Sequence, residues 1–202
     1  MVAALLMLQG FVVLIVLMLT YPGGYRFSEY TVSMLGSHFS QANHERNFIG
    51  HDVGLLSYFL LGCGSALTGV LLARRIGASG RARWIARIGM IVAIVSAPGP
   101  MLGQIFSHDS YHRTHVLISE VFTPLLMVAI LLFTVAILVS RCNGQWLAYA
   151  GLVAVALLAY YAFIRTTPIS QKVAIGALLG WWQVAAFSLW HTPAQHASRP
   201  RQ

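Results

Sequence analysis

The sequence predicts an all-α, polytopic membrane bundle of six spans, and three observations carry that class. Of 202 residues, 57% are hydrophobic and only 9% charged. A soluble domain carries ~25% charge, and a surface this poor in charge would not stay wetted. The apolar residues gather in runs of about 20, the length that crosses a ~30 Å hydrocarbon layer at 1.5 Å per residue. Helices also satisfy their own backbone polar groups, which lipid cannot do for them.

Taken in order, the spans are predicted at 2–20, 53–73, 88–106, 116–140, 146–165 and 173–191. The first lacks a positive leader and a small-x-small cleavage site and runs into "TYPGGY", so it reads as a retained helix rather than a signal peptide. The segment 21–52 that follows is the long connection. "YPGGY" is turn chemistry. "SEYTVSMLG" predicts a short helix capped by Ser28 and stopped by Gly36. "SQANHERNFIGHD" has helix-compatible spacing, with His44 and His51 on one face. Asp52 then stands at the N-terminus of the second span, where the helix dipole favours a carboxylate. In that span "GCGSALTG" offers the small pairs Gly62–Ala66 and Ser65–Gly69 for close helix packing, and "GALLG" in the last span is a GxxxG. Pro98 and Pro100 should kink or break the third span. Trp181, Trp182 and Trp190 read as packing or interface anchors.

The net charge of +8 does not indicate nucleic acid. The basic residues form no patch interleaved with aromatics; Arg74, Arg75, Arg81, Arg83 and Arg87 crowd one short loop. That is how a membrane protein marks its cytoplasmic side. With the N-terminus inside, inner segments hold eight of the thirteen Arg and Lys, which predicts an N-in/C-in topology. The resulting organisation is a single transmembrane domain over 1–191 and a short basic cytoplasmic tail at 192–202. Arginine-rich, lysine-poor usage points toward a bacterium, so the expected location is a bacterial inner membrane. Membrane lipids are the expected partners; the sequence leaves protein partners unassigned and homo-oligomerisation open. Cys63 and Cys142 form neither a CxxC pair nor a disulfide framework and read as small buried residues.

The chemistry-bearing stretch is "HDSYHRTH", residues 108–115. If Ser107 caps a helix beginning at residue 108, then His108, His112, His115 and Ser119 fall within an arc of about 60°. Imidazoles spaced in this way can hold zinc with a further ligand from elsewhere, and His51 is the candidate. A nearby carboxylate, Asp52 or Asp109, would then serve as general base or orient a ligand. The bland alternative is a hydrated helix start, because no HExxH accompanies the histidines. Glu120 is a separate signal: an ionisable group inside an apolar run is costly and often functional, and Gln104 or Arg113 is in reach as its partner. Ser33, Ser37 and Ser119 can each be drawn beside a histidine, but no GxSxG elbow supports a serine nucleophile.

The run "YPGGYRFSEYTVSMLGSHFSQANHERN", with the later histidine-rich entry to the fourth span, resembles the domain of unknown function 998 family of small bacterial membrane proteins. That family is distantly similar to DRAM-type proteins. The resemblance covers about residues 20–125 and singles out Ser33, Gly36, Asn43 or Asn47, and the His112/His115 region. Met34 stands where the family pattern has an acid, so no role of that acid is carried over to this position. A looser likeness is to intramembrane hydrolases of the alkaline ceramidase type, which hold zinc with histidines and use nearby Ser and Asp. Three readings follow. The sharpest is a zinc-assisted hydrolase or transferase acting on a lipid or lipid-linked substrate at the outer boundary. Its ligands would be drawn from His51, His108, His112 and His115, with Asp52, Asp109, Ser33 or Glu120 in catalytic roles. The second is a non-catalytic lipid-binding, sensing or scaffolding protein, and the third a proton-coupled transporter using Glu120 and His115.

Overall fold

A computed structural model describes residues 1–76, 80–140 and 144–191, with residues 190 and 191 described by backbone alone. The helices are α1 (Val2–Leu19), α2 (Gly54–Ile76), α3 (Gly80–Ser96), α4 (Gly99–Ile105), α5 (His112–Ser140), α6 (Gln145–Phe163) and α7 (Pro168–His191). Six helical stretches are long and apolar enough to cross a membrane: Val2–Leu19, Ile49–Ile76, Gly80–Ile105, His112–Ser140, Gln145–Phe163 and Pro168–Leu189. No strand occurs among the described residues, only an isolated antiparallel bridge between Phe39 and Arg46. The predicted basic tail and Cys142 lie outside the described residues.

The spans close into a ring in which α1 packs on α2, α2 on α3, α3 on α5, α5 on α6, α6 on α7, and α7 back on α1. α2 also reaches across to α5 and α7. The outward faces are apolar: Leu5, Leu8, Val12, Ile15 and Leu19 of α1 are exposed, as are Ile88, Ile91 and Val95 of α3. Such stripes at three- and four-residue spacing belong against lipid. Inside, Phe133, Trp181 and Trp182 form one aromatic cluster, with centroids 6.4 Å apart for Phe133–Trp181 and 5.0 Å for the tryptophan pair. Trp181 donates its indole N–H to Leu147 O at 3.0 Å, so these two tryptophans are packing residues.

The small residues of α2 work as predicted. A Cβ on Gly62 would lie 2.2 Å from Ala97 O, and one on Gly69 would lie 3.0 Å from the Ala93 Cβ. Gly62 therefore lets α2 approach the backbone where α3 gives way to α4, and that break falls at Ala97–Pro98, as the prolines require. The GxxxG of α7 behaves differently: nothing lies within 4 Å of a Cβ on Gly176 or Gly180. Cys63 is exposed on α2 rather than buried, facing out of the ring.

Segment 20–53 is a folded cap over one end of the ring. Gly23 and Gly24 take φ of 76° and 86°, the left-handed region that side chains avoid. The short helix predicted from Ser28 instead runs as a 3₁₀ turn over Val32–Gly36, entered through Thr31. The helix predicted through His44 is absent. The Phe39–Arg46 bridge folds that stretch back on itself, with His44 at φ 59°. His44 and His51 therefore share no helical face. The second span begins as a π-helical turn, Ile49–Val53, with Asp52 in its first turn.

Candidate functional site: the polar cap

The cap is held by side-chain amides from below and from within. Gln104, the last polar residue of α4, is buried and donates to Gly36 O at 2.7 Å and His51 O at 3.3 Å. Asn47, 2% exposed, donates to Leu35 O at 2.8 Å and Ser37 O at 3.2 Å, while its Oδ1 accepts the Gly50 N–H at 3.1 Å. Of the two asparagines that the resemblance left open, Asn47 is thus the buried one. Asn43 is exposed and makes a local turn to the Glu45 N–H. On the far side Gln171 accepts the Val32 N–H at 2.8 Å. Lys172 donates to Tyr30 O, and its ammonium lies 5.2 Å from the Tyr25 ring and 4.8 Å from Phe27.

The histidine-rich entry differs from the predicted stripe. α5 starts at His112, and residues 108–110 form a turn ahead of it. Ser107 does not cap the helix, because its hydroxyl donates to Asp109 Oδ1 at 2.7 Å. The other carboxylate oxygen of Asp109 accepts the Phe39 N–H at 3.0 Å and so ties the cap to the α4–α5 connection. His108 still meets its neighbours, with ring centroids 4.5 Å from His112 and 5.7 Å from His115. The Nδ1 of His115 lies 2.8 Å from Gly103 O and 3.0 Å from Phe106 O. Carbonyls only accept, so this nitrogen carries the proton and Nε2 is the one open to a ligand.

His51 belongs to a second group. Its ring lies tilted against His38, with centroids 3.8 Å apart and 35° between the planes, and its Nδ1 faces Gly36 O at 3.3 Å. No hydrogen bond, ion pair or ring contact joins His51 or Asp52 to His112 or His115 among the described residues. No group of three or more His, Cys, Asp or Glu there is arranged to hold a metal ion. Ser33 bonds to the Thr31 hydroxyl at 2.9 Å, not to a histidine. Ser119 is exposed, and Ser37 is fully buried with its hydroxyl unpartnered among the described residues. Glu120 is exposed on α5 without hydrogen bond or ion pair among the described residues. Of its two expected partners, Gln104 is committed to the cap and Arg113 makes no ion pair with it among the described residues. The sequence reading missed His38, Gln171 and Lys172. Gln171 and Lys172, polar side chains at the start of the last span, carried that signal, whereas His38 was marked only by its residue type.

Electrostatics at the cap run in one direction. Burial, then the neighbouring His112 and His115, hold His108 below its ordinary 6.5 against the opposing pull of Asp109. Burial pushes Asp109 up. The Ser107 hydroxyl, the Phe39 and Asp109 N–H groups and His38 together outweigh it, leaving the carboxyl below its ordinary 3.8. Both groups bind protons less readily in the folded chain, so each contributes stability above its ordinary value and loses it as pH falls through the folded one. The apparent melting midpoint should therefore fall as pH drops below 6.5, the point at which unfolded His108 protonates. His108→Asn should flatten that arm of the profile and leave the more acidic, Asp109-dependent arm in place.

Fold and cap together define a multi-pass α-helical membrane protein with a folded cap on one end. No family model, curated protein or solved structure matches the chain.

Proposed function

We propose that this chain is a non-catalytic membrane protein, a lipid-embedded scaffold or binding bundle that presents a rigid polar cap at the outer surface. One observation carries the reading: Asp109 and His115, two of the groups that looked catalytic or metal-binding, are occupied in holding the cap, as is Gln104 beside them. Asp109 has both oxygens in hydrogen bonds, His115 is fixed by two carbonyls, and Gln104 bridges Gly36 and His51. A bacterial inner membrane, an N-in/C-in orientation and kinship with the domain of unknown function 998 family complete the proposal. The crowding of arginine at the end opposite the cap supports the orientation.

A second reading, a zinc-assisted hydrolase or transferase, is favoured by the contact of His108 with His112 and His115. The free Nε2 of His115 is the natural first ligand. Metal content of detergent-purified protein separates the two. The scaffold reading expects no stoichiometric metal after supplementation with zinc. Stoichiometric zinc in the wild type, lost in His112→Ala/His115→Ala, would overturn it and restore the hydrolase.

A further inference from the structure

We infer that the arginine-bearing end of α2 and α3 is a binding site for the headgroup of an anionic phospholipid. The two helices leave a groove of about 440 Å³ between them, with Arg74, Arg83 and Arg87 at its mouth and Val70, Ala73 and Met90 along its walls. Arg83 and Arg87 are four residues apart, so they lie on one face of α3, and Arg74 approaches from the end of α2.

Among the described residues, none of the three guanidinium groups has a counter-ion. The acids of this chain are Glu29, Glu45, Asp52, Asp109 and Glu120. The first four sit in or beside the cap, and Glu120 lies in the cap-proximal third of α5, so none reaches this end of the bundle. Arg26–Glu29 is the single ion pair among the described residues. Arg75, next in sequence, is different: it donates to Ser188 O at 2.9 Å and does not line the groove. Arg87 lies 5.4 Å over the Trp84 ring, and Trp84 is 65% exposed. An exposed tryptophan at a span's end marks the headgroup level.

Several uncompensated guanidinium groups around one groove fit a phosphodiester, which they can grip through paired N–H donors. The walls decide for a lipid over a soluble anion. Val70 stands one turn before Arg74 on α2 and Met90 about one turn after Arg87 on α3, each deeper in its span, so the apolar part of the groove lies toward the acyl region. Basic pockets between spans are a recurrent way of holding acidic headgroups.

The test uses the full chain, delipidated in neutral detergent and offered equal amounts of dioleoyl phosphatidylglycerol and phosphatidylcholine, with bound lipid counted by native mass spectrometry. Wild type should prefer phosphatidylglycerol, and each Arg→Gln change at 74, 83 or 87 should weaken that binding by about fivefold. Arg81→Gln, exposed on the same end but outside the groove, should keep the preference. If the triple Gln variant does not fold, the single Arg83→Gln is read in its place; the triple Arg→Lys variant, which keeps the charge but not the paired donors, should bind phosphatidylglycerol more weakly than wild type and more strongly than the Gln variants. Inorganic phosphate should not displace the lipid. The inference is overturned by equal binding of the two lipids in wild type, or by a preference that survives neutralisation of all three arginines. Loss in Arg81→Gln as large as in Arg83→Gln, or displacement by inorganic phosphate, would overturn it too.

Discussion

Asn47→Ala should be the most damaging single change in the cap, lowering stability by about 3 kcal/mol or more. The residue is 2% exposed, and its amide serves three backbone groups: Leu35 O, Ser37 O and the Gly50 N–H. Alanine leaves all three without partners where water has little access, and each orphaned buried group costs roughly 1–3 kcal/mol. Asn47→Asp should be no better, because it preserves the acceptor for Gly50 but turns a carboxylate oxygen toward two carbonyls. The apparent melting midpoint in detergent should drop by roughly 6–12 °C for either variant. An unchanged midpoint would mean that the cap does not depend on this amide.

Gly62→Ala should carry the second large effect, of about 1–3 kcal/mol, and by a different route. The added methyl would sit 2.2 Å from Ala97 O and 3.1 Å from the Ala97 carbonyl carbon, both backbone atoms at the proline-broken junction of α3 and α4. A side chain could swing aside. A backbone at a helix break moves only with the helices it joins, so α2 must separate from α3 and α4. Because α4 carries Gln104, the strain should reach the cap as well. Gly176→Ala is the internal control: nothing lies within 4 Å of its added methyl. The same substitution there should be neutral or slightly stabilising, since alanine is the better helix former. Melting midpoints of the two variants, measured side by side, separate lost packing from a general glycine effect.

The membrane-spanning part of this fold was legible because its cause is local. Length, apolarity and the positions of Pro98 and Pro100 fix the six spans and the break in the third without reference to other residues. The small residues of α2 were legible for the same reason. The cap was not. Its conformation rests on hydrogen bonds between positions far apart in sequence, Gln104 to Gly36 and Asp109 to Phe39, which no periodicity encodes. The predicted helix through His44 failed because helical spacing is only a pattern of side chains, and a reverse turn closed by the Phe39–Arg46 bridge competes for the same residues. The histidine stripe failed in part for a related reason. Ser107 had two available partners, the helix start and Asp109, and it bonds to the carboxylate. His108 consequently left the helix while keeping ring contact with His112 and His115.

Hydrogen–deuterium exchange over residues 32–53 tests most directly whether the polar residues of this end build a folded cap. In wild type the segment should be protected like the first turns of α2, and in Asn47→Ala that protection should vanish while α5, α6 and α7 keep theirs. A wild-type segment that exchanges as fast as an unstructured chain would contradict the account.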